Sequence, residues 1–317
     1  MSSDQAPGRG QHQLRYRHEA LLWRSESEFV AGTLPFVTDG LEAGEAVMVA
    51  ATPALIRLLV GELGPAGDLV EFVDTVDLGR NPARLMPPWL RFLDRSTRSG
   101  QSARGIGGPV LAGRRPAEVL EAQFHEALLN VAVDPQTPFW LLCPYDVRQL
   151  SPAVVEDVSR NHAVLIEADQ REESATFAGR SQADLIFSTD LPPLLGKPDQ
   201  LYFNRAGLQR VIPFVTARAH FAGVPEQQAG ALAVAVHQLA LSSLSRGAAG
   251  GVVSVCLQHH SFVCEVHDHT RTNDPLLGRQ QSPSRDRSGM WFANQVCDLV
   301  QLRSTPSGTT VRLHHWT

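Results

Sequence analysis

From about Tyr16 to about Glu172 the chain alternates short apolar runs with longer amphipathic stretches, and this alternation constrains the fold more than any other feature. Ala46-Val-Met-Val-Ala-Ala51 reads as a buried strand. Thr52 is placed to cap the helix that runs on to Leu63, with Pro53 in its first turn, where the missing N–H costs nothing. Leu69 to Val73 reads as a second strand, Ala83 to Ser96 and Pro116 to Val133 as helices, and Pro138 to Cys143 as a third strand. Pro152 to Asn161 is helical again and leads into Ala163 to Glu167. Strands alternating with helices predict an α/β domain with a parallel sheet and helices on both faces.

The pattern breaks between about Arg171 and Asn204, where Pro192, Pro193, Gly196 and Pro198 leave no long periodicity, so residues 173–204 read as a linker. Beyond it Leu208, Val211, Ile212, Val215 and Ala219 form a helical stripe, and a second helix runs from about Glu226 to Arg246, stopping at Gly247. Val252 to Leu257 and Phe262 to Val266 alternate as a hairpin around His259-His260-Ser261. Met290 to Val300 reads as a helix and Thr309 to Leu313 as a final strand, which together predict a two-layer α+β sandwich over residues 205–317.

With 317 residues the chain has room for about two domains. A net charge of -5 gives no electrostatic reason to expect nucleic acid or an anionic membrane as partner. Met1 to Gly10 lacks an apolar secretory core, and no run approaches the roughly 18 apolar residues of a membrane span. Cys143, Cys256, Cys264 and Cys297 are spaced too widely for a disulfide framework, which fits a reducing cytoplasm.

The segment Ala233 to Gly247, with Val266-His-Asp-His-Thr-Arg271, Ser288 to Val300 and Ser307-Gly-Thr-Thr-Val-Arg-Leu313 after it, resembles in order and spacing the boxes of GHKL-type (HATPase, Bergerat-fold) ATP-binding domains, in particular the anti-sigma-factor serine kinases. In that family a helical glutamate acts as base and an asparagine four residues on ligates the magnesium. A spacing of four puts both on one helical face. Gln238 and Ser242 stand at those positions here, and an amide cannot take up a proton. His237 points about 100° away from Gln238 and does not restore the base. The resemblance further implies adenine contact by Asp268, crowding at Thr270 where the family has glycine, a lid at Gly289 preceded by Arg287 and Ser288, and a well-kept final box at Gly308 and Thr309. ATP with magnesium is thus expected to bind weakly if at all. Asp268 reads equally well as a strand-end turn residue.

His18-Glu-Ala-Leu-Leu-Trp23, the phrase Phe36 to Val49, and the strand–helix order that follows are similar to the MEDS sensory domain over about residues 12–172. That resemblance implies a RecA-like sheet that senses a small molecule. No G-x-x-x-x-G-K-[ST] loop occurs; Gly196-Lys197-Pro198 lacks its first glycine and its hydroxyl. His18, Tyr16 and Trp23 are the candidate sensory-pocket residues.

His18 to Leu22 and His125 to Leu129 repeat the letters His-Glu-Ala-Leu-Leu, which read as similar helix starts or a coincidence; neither has the second histidine of a zincin helix. Arg104-Gly-Ile-Gly-Gly-Pro109 reads as a loop at a pocket rim. Cys256 and Cys264 would face each other if the hairpin turned near His260, but no paired C-x-x-C spacing accompanies them and no metal site is expected. The chain thus reads as a cytoplasmic signalling regulator: a MEDS-like sensor controlling a degenerate anti-sigma-like domain that binds a sigma factor or a STAS-type anti-anti-sigma protein. No catalytic residue, direct nucleic-acid contact or membrane contact is expected, and a homodimer is left open. Two alternatives stay open: an active ATP-dependent serine protein kinase, and a small-molecule or metal sensor with the C-terminal half as scaffold.

Overall fold

In the computed structural model, which describes residues 15–108, 113–168, 170–281 and 285–317, the alternation of the first half becomes an open sheet covered on both faces. Its elements are β1 (Arg17–Trp23), α1 (Glu26–Glu42), β2 (Ala46–Ala51), α2 (Pro53–Leu63), β3 (Glu71–Asp74), α3 (Thr75–Leu78), α4 (Met86–Arg98), β4 (Ala103–Gly107), α5 (Pro116–Ala132), β5 (Phe139–Asp146), α6 (Pro152–Asn161), β6 (Val164–Glu167) and β7 (Gln170–Glu173). Strand order is β3-β2-β4-β5-β1-β6-β7, parallel except for β7. Side-chain alternation divides the sheet between two layers. Ala20, Leu22, Met48, Leu141 and Tyr145 face Trp89 and Phe92 of α4 and Phe124 and Leu128 of α5. Leu21, Trp23, Val47, Val49 and Leu142 face Phe29 and Phe36 of α1 and Leu59 of α2. Each buried Phe or Leu contributes roughly 1.5–3 kcal/mol. Gly107 lets Trp89 lie flat on β4, because a Cβ there would run into the indole.

Local chemistry sets the ends of these elements. Ser25 Oγ accepts the N–H of Glu28 at 3.2 Å, while Glu28 Oε2 accepts the N–H of Arg24 at 2.7 Å, so α1 is capped from both directions. Thr52 has the extended backbone of a cap but makes no side-chain capping bond; Pro53 opens α2 as expected.

The second half continues with α7 (Arg180–Phe187), β8 (Asp199–Asn204), α8 (Val211–Phe221), α9 (Glu226–Ser245), β9 (Gly250–Gln258), β10 (Ser261–Asp268), α10 (Arg285–Val296), β11 (Leu299–Thr305) and β12 (Gly308–Trp316). An antiparallel sheet in the order β11-β12-β10-β9-β8 packs against α8, α9 and α10, giving the expected two-layer α+β sandwich. The segment read as a linker, 173–204, carries α7, which packs on α5, and β8, which forms the sheet edge beside β9. Short strands with one exposed face, such as Asp199-Gln-Leu-Tyr-Phe-Asn204, leave little apolar signal to read. Met290 to Val300 divides into the end of α10 and the start of β11, because the helix stops at Val296.

The two halves share one hydrophobic cluster that runs from the α4/α5 layer into the second sheet. Polar contacts reinforce it. Arg84 Nε donates to Asn294 O at 2.6 Å, and Arg84 Nη2 to Gln295 O and Cys297 O at 3.0 and 2.8 Å, which satisfies the orphan carbonyls at the end of α10. Asn81 Nδ2 donates to Asn294 Oδ1 at 3.0 Å. No helix among the described residues is long and apolar enough to cross a membrane.

Candidate functional site

Strand parity sends His18 of β1 and Cys143 of β5 toward α5, where Glu126 meets them; His162 caps the end of α6 beside the same spot. His18 Nε2 lies 3.3 Å from Cys143 Sγ and 3.4 Å from Glu126 Oε2. His162 Nε2 lies 3.3 Å from the same carboxylate oxygen, and Tyr145 Oη donates to it at 3.1 Å. Tyr16 stacks on His18 at 5.9 Å between centroids and on Phe139 at 5.8 Å. All four polar side chains of the cluster are buried.

Burial dominates the electrostatics here. It pushes the Cys143 thiol and the Tyr145 and Tyr16 phenols upward, each reinforced by the Glu126 charge. Burial lowers His162, with His18 adding to the effect and Glu126 opposing it. Burial would raise Glu126, but the facing His162 and His18 rings outweigh it and hold the carboxyl below its ordinary range. Neighbouring His125 is lowered by burial to about 4.

A cavity of about 310 Å³ opens at the carboxyl ends of β1, β2, β4 and β5, lined by Trp23, Thr52, Leu55, Tyr145, Asp146 and Arg148 among others. Ligands of open α/β sheets bind at this edge. Arg148 pairs with Asp146 at the rim at 2.7 Å, and its hydrogen bonds hold the Asp146 carboxyl below its ordinary range. A narrower cavity shares Ala50, Thr75 and Gly108 with the first and ends at His125 and Glu126. Of the four clustered side chains, Glu126 alone lines this inner space. The N-terminus of α1, which begins beside this mouth, is occupied by Ser25 and Glu28 and offers no free phosphate cradle.

In the second half, Asp268 ends β10 and is 1% exposed. Arg246 Nη2 donates to its Oδ2 at 3.0 Å, the backbone N–H of Thr270 to its Oδ1 at 2.7 Å, and the Thr270 hydroxyl to the same oxygen. Arg246 Nη1 also donates to Ser242 Oγ at 2.9 Å. Gly289 lies close against Gln238: a Cβ would sit 3.1 Å from the Gln238 carbonyl oxygen, a tight contact. Thr309 Oγ1 donates to Thr270 O at 2.8 Å, and Gly308 takes φ +136° beneath the Asp268 carbonyl. Gln238, Ser242, Asp268, Thr270, Gly289, Gly308 and Thr309 thus lie near one another toward the end of α9, and the side chains of Ser242, Asp268, Thr270 and Thr309 are engaged with one another, with nearby backbone or with Arg246.

A family model for the MEDS domain, described as the MEthanogen/methylotroph, DcmR Sensory domain, matches residues 17–163. This region is a MEDS domain. Among solved structures, the RsbU and RsbW domains of Rv1364c from Mycobacterium tuberculosis are similar at 14% identity over 37% of this chain and 32% of that one, with a TM-score of 0.29. The chain thus spans about a third of that protein's length. No curated protein matches.

Tyr16, which precedes the matched region by one residue, stacks on His18 of the buried cluster, whereas Trp23 sits on the opposite face of β1 and lines the mouth. The three pocket residues read from sequence therefore do not form one pocket, because positions 18 and 23 differ in parity along a strand. Residues 12–14 of the expected domain, Pro109 to Ala112 after the glycine-rich run, and the side chain of Arg287 lie outside the described residues. The glycine-rich run itself is strand β4 through Gly107, and Gly108 lines both cavities. The repeated pentapeptide is a strand at His18 to Leu22 and helix at His125 to Leu129, so the two copies are not similar helix starts.

Sequence reading missed Glu126, Cys143 and His162; the second copy of the pentapeptide was the one hint, since it carries Glu126. In the hairpin, His259 and His260 form the turn at φ +48° and +56°, which pairs Cys256 with Val263 and Cys264 with Val255. The two cysteines occupy opposite faces rather than facing each other.

Proposed function

We propose that this chain is a signalling regulator whose MEDS domain receives a small-molecule signal and whose C-terminal sandwich holds a protein of the sigma-factor pathway, either a sigma factor or a STAS-type anti-anti-sigma protein. One observation carries the coupling. Helix α5 reaches the sensory cluster through Glu126, and five residues earlier it presents Glu121 to Arg303 of β11 at 2.6 Å and to Arg279 at 3.5 Å. A ligand that shifts α5 changes a contact at the core of the other half, and differential affinity between two states suffices for such a switch.

The partner class rests on the resemblance of the boxes from Ala233 to Leu313 to anti-sigma kinases. Holding a partner without phosphoryl transfer fits Gln238 in place of the base and Arg246 paired with Asp268. The experiment is titration of the purified full chain with the sigma factors and STAS proteins of its host, with and without ATP and magnesium. Micromolar or tighter binding to one of them without nucleotide supports the reading. Binding that requires ATP, with phosphate appearing on a partner serine, overturns it in favour of an active kinase.

A further inference from the structure

We propose that His18 Nε2, His162 Nε2, a Glu126 carboxylate oxygen and Cys143 Sγ form a buried site for a divalent metal ion of the zinc class. The four ligand atoms lie within 4.8 Å of one another. The closest pairs stand at 3.3–3.4 Å. Atoms bound tetrahedrally to zinc at about 2.0–2.3 Å stand about 3.3–3.6 Å apart, so a small inward adjustment completes the shell.

The second layer of contacts aims both rings. His162 Nδ1 lies 2.7 Å from Val158 O. A carbonyl only accepts, so Nδ1 carries the proton and the Nε2 lone pair is left facing Glu126. That Nε2 is buried without a hydrogen-bond partner. Asn130 Nδ2 donates to Asn161 O at 2.9 Å, which turns Asn130 Oδ1 toward His18 Nδ1 at 3.1 Å. His18 therefore also donates through Nδ1 and presents its Nε2 lone pair to the cluster. Metal-binding histidines are held in this way, with one ring nitrogen donating to a fixed oxygen and the other on the ion.

The donor set selects the ion. Two imidazoles, a thiolate and one carboxylate suit zinc or cobalt and are poor ligands for calcium or magnesium. Binding replaces the Cys143 S–H bond by a metal–sulfur bond and releases the thiol proton to solvent. A cation at this point neutralises the buried Glu126 carboxylate and fixes it, and with it α5, against β1 and β5.

The test is titration of the chelator-treated full chain with Co²⁺ and Zn²⁺ and metal analysis of the protein as purified. The expected result is a single equivalent of metal per chain, a tetrahedral cobalt absorption with a sulfur-to-metal band, and displacement of cobalt by zinc. Cys143→Ser should abolish the sulfur band. Asn130→Ala, outside the ligand set, should weaken binding about 10–100-fold while far-UV circular dichroism is kept. Folded wild-type chain that takes up no stoichiometric ion, the cluster then being balanced by protons alone, overturns the proposal, as does a cobalt spectrum unchanged in Cys143→Ser. If either variant fails to fold, the wild-type titration decides alone.

Discussion

Arg303 Nη2 donates to Glu121 Oε1 at 2.6 Å, joining the two halves through side chains that are 2% and 1% exposed. Arg279 approaches the other carboxylate oxygen, and both guanidinium groups lie over Phe124. Removing the carboxylate leaves two buried cations without their counter-charge among the described residues. Glu121→Ala should cost about 3–5 kcal/mol of unfolding free energy. Replacing Glu121, Arg279 and Arg303 together by Met should cost far less, because breaking a buried ionic group is worse than substituting it whole. Urea unfolding of both variants checks this; equal losses would show that the charges do not act as a unit.

Gly308 takes a backbone conformation that L residues rarely adopt, and a Cβ there would press into the Asp268 carbonyl. Gly308→Ala should therefore destabilise the chain by at least about 1–3 kcal/mol. Exposed Gly223, at φ +79° with open space around it, should tolerate alanine better. A comparison of the two midpoints in the same denaturant tests the difference.

How much of this was readable from the sequence depends on whether local signals coincide with tertiary ones. Strand β2 and helix α6 appear at their predicted bounds because their apolar pattern and flanking prolines agree with their burial. Strand β11 was not read as an element: only Leu299 and Val300 fell within the helical reading, whose true end is set by Arg84, more than two hundred residues away, which takes up the carbonyls of Asn294, Gln295 and Cys297. The buried cluster was hidden for the same reason. His18, Glu126, Cys143 and His162 come together only through the order β5-β1-β6 and the packing of α5, which no local spacing encodes.

Restoring the family residues at the end of α9 should do little by itself. Ser242 Oγ accepts from Arg246, and Arg246 holds Asp268, so Gln238→Glu with Ser242→Asn leaves the Asp268 carboxylate engaged. Affinity for ATP with magnesium should rise by less than about tenfold, roughly 1.4 kcal/mol. Adding Arg246→Ala should raise it further. Fluorescent-nucleotide titration measures both, and a large gain from the double substitution alone would show that Arg246 is no obstacle.

The pH dependence of stability follows from His314, which burial lowers to about 3, with Arg312 and Arg115 adding to the effect. A histidine that stays neutral when folded but takes a proton near pH 6.5 when unfolded favours the unfolded chain as pH falls. Its stabilising contribution is full above about pH 6.5 and declines by about 1.4 kcal/mol per unit until the folded group titrates near 3. His314→Gln should flatten the loss between pH 6.5 and 5 in urea unfolding. An unchanged slope would assign the acid sensitivity to other groups.

Hydrogen exchange bears most directly on the link between sensor and output. Tyr145→Phe deletes the hydroxyl that donates to Glu126, a change confined to the core of the MEDS domain. If α5 carries the signal, amides of β11 and the end of α10 should exchange several-fold faster in the variant, while those of α8 stay unchanged. Exchange altered only within residues 17–163 would contradict the account.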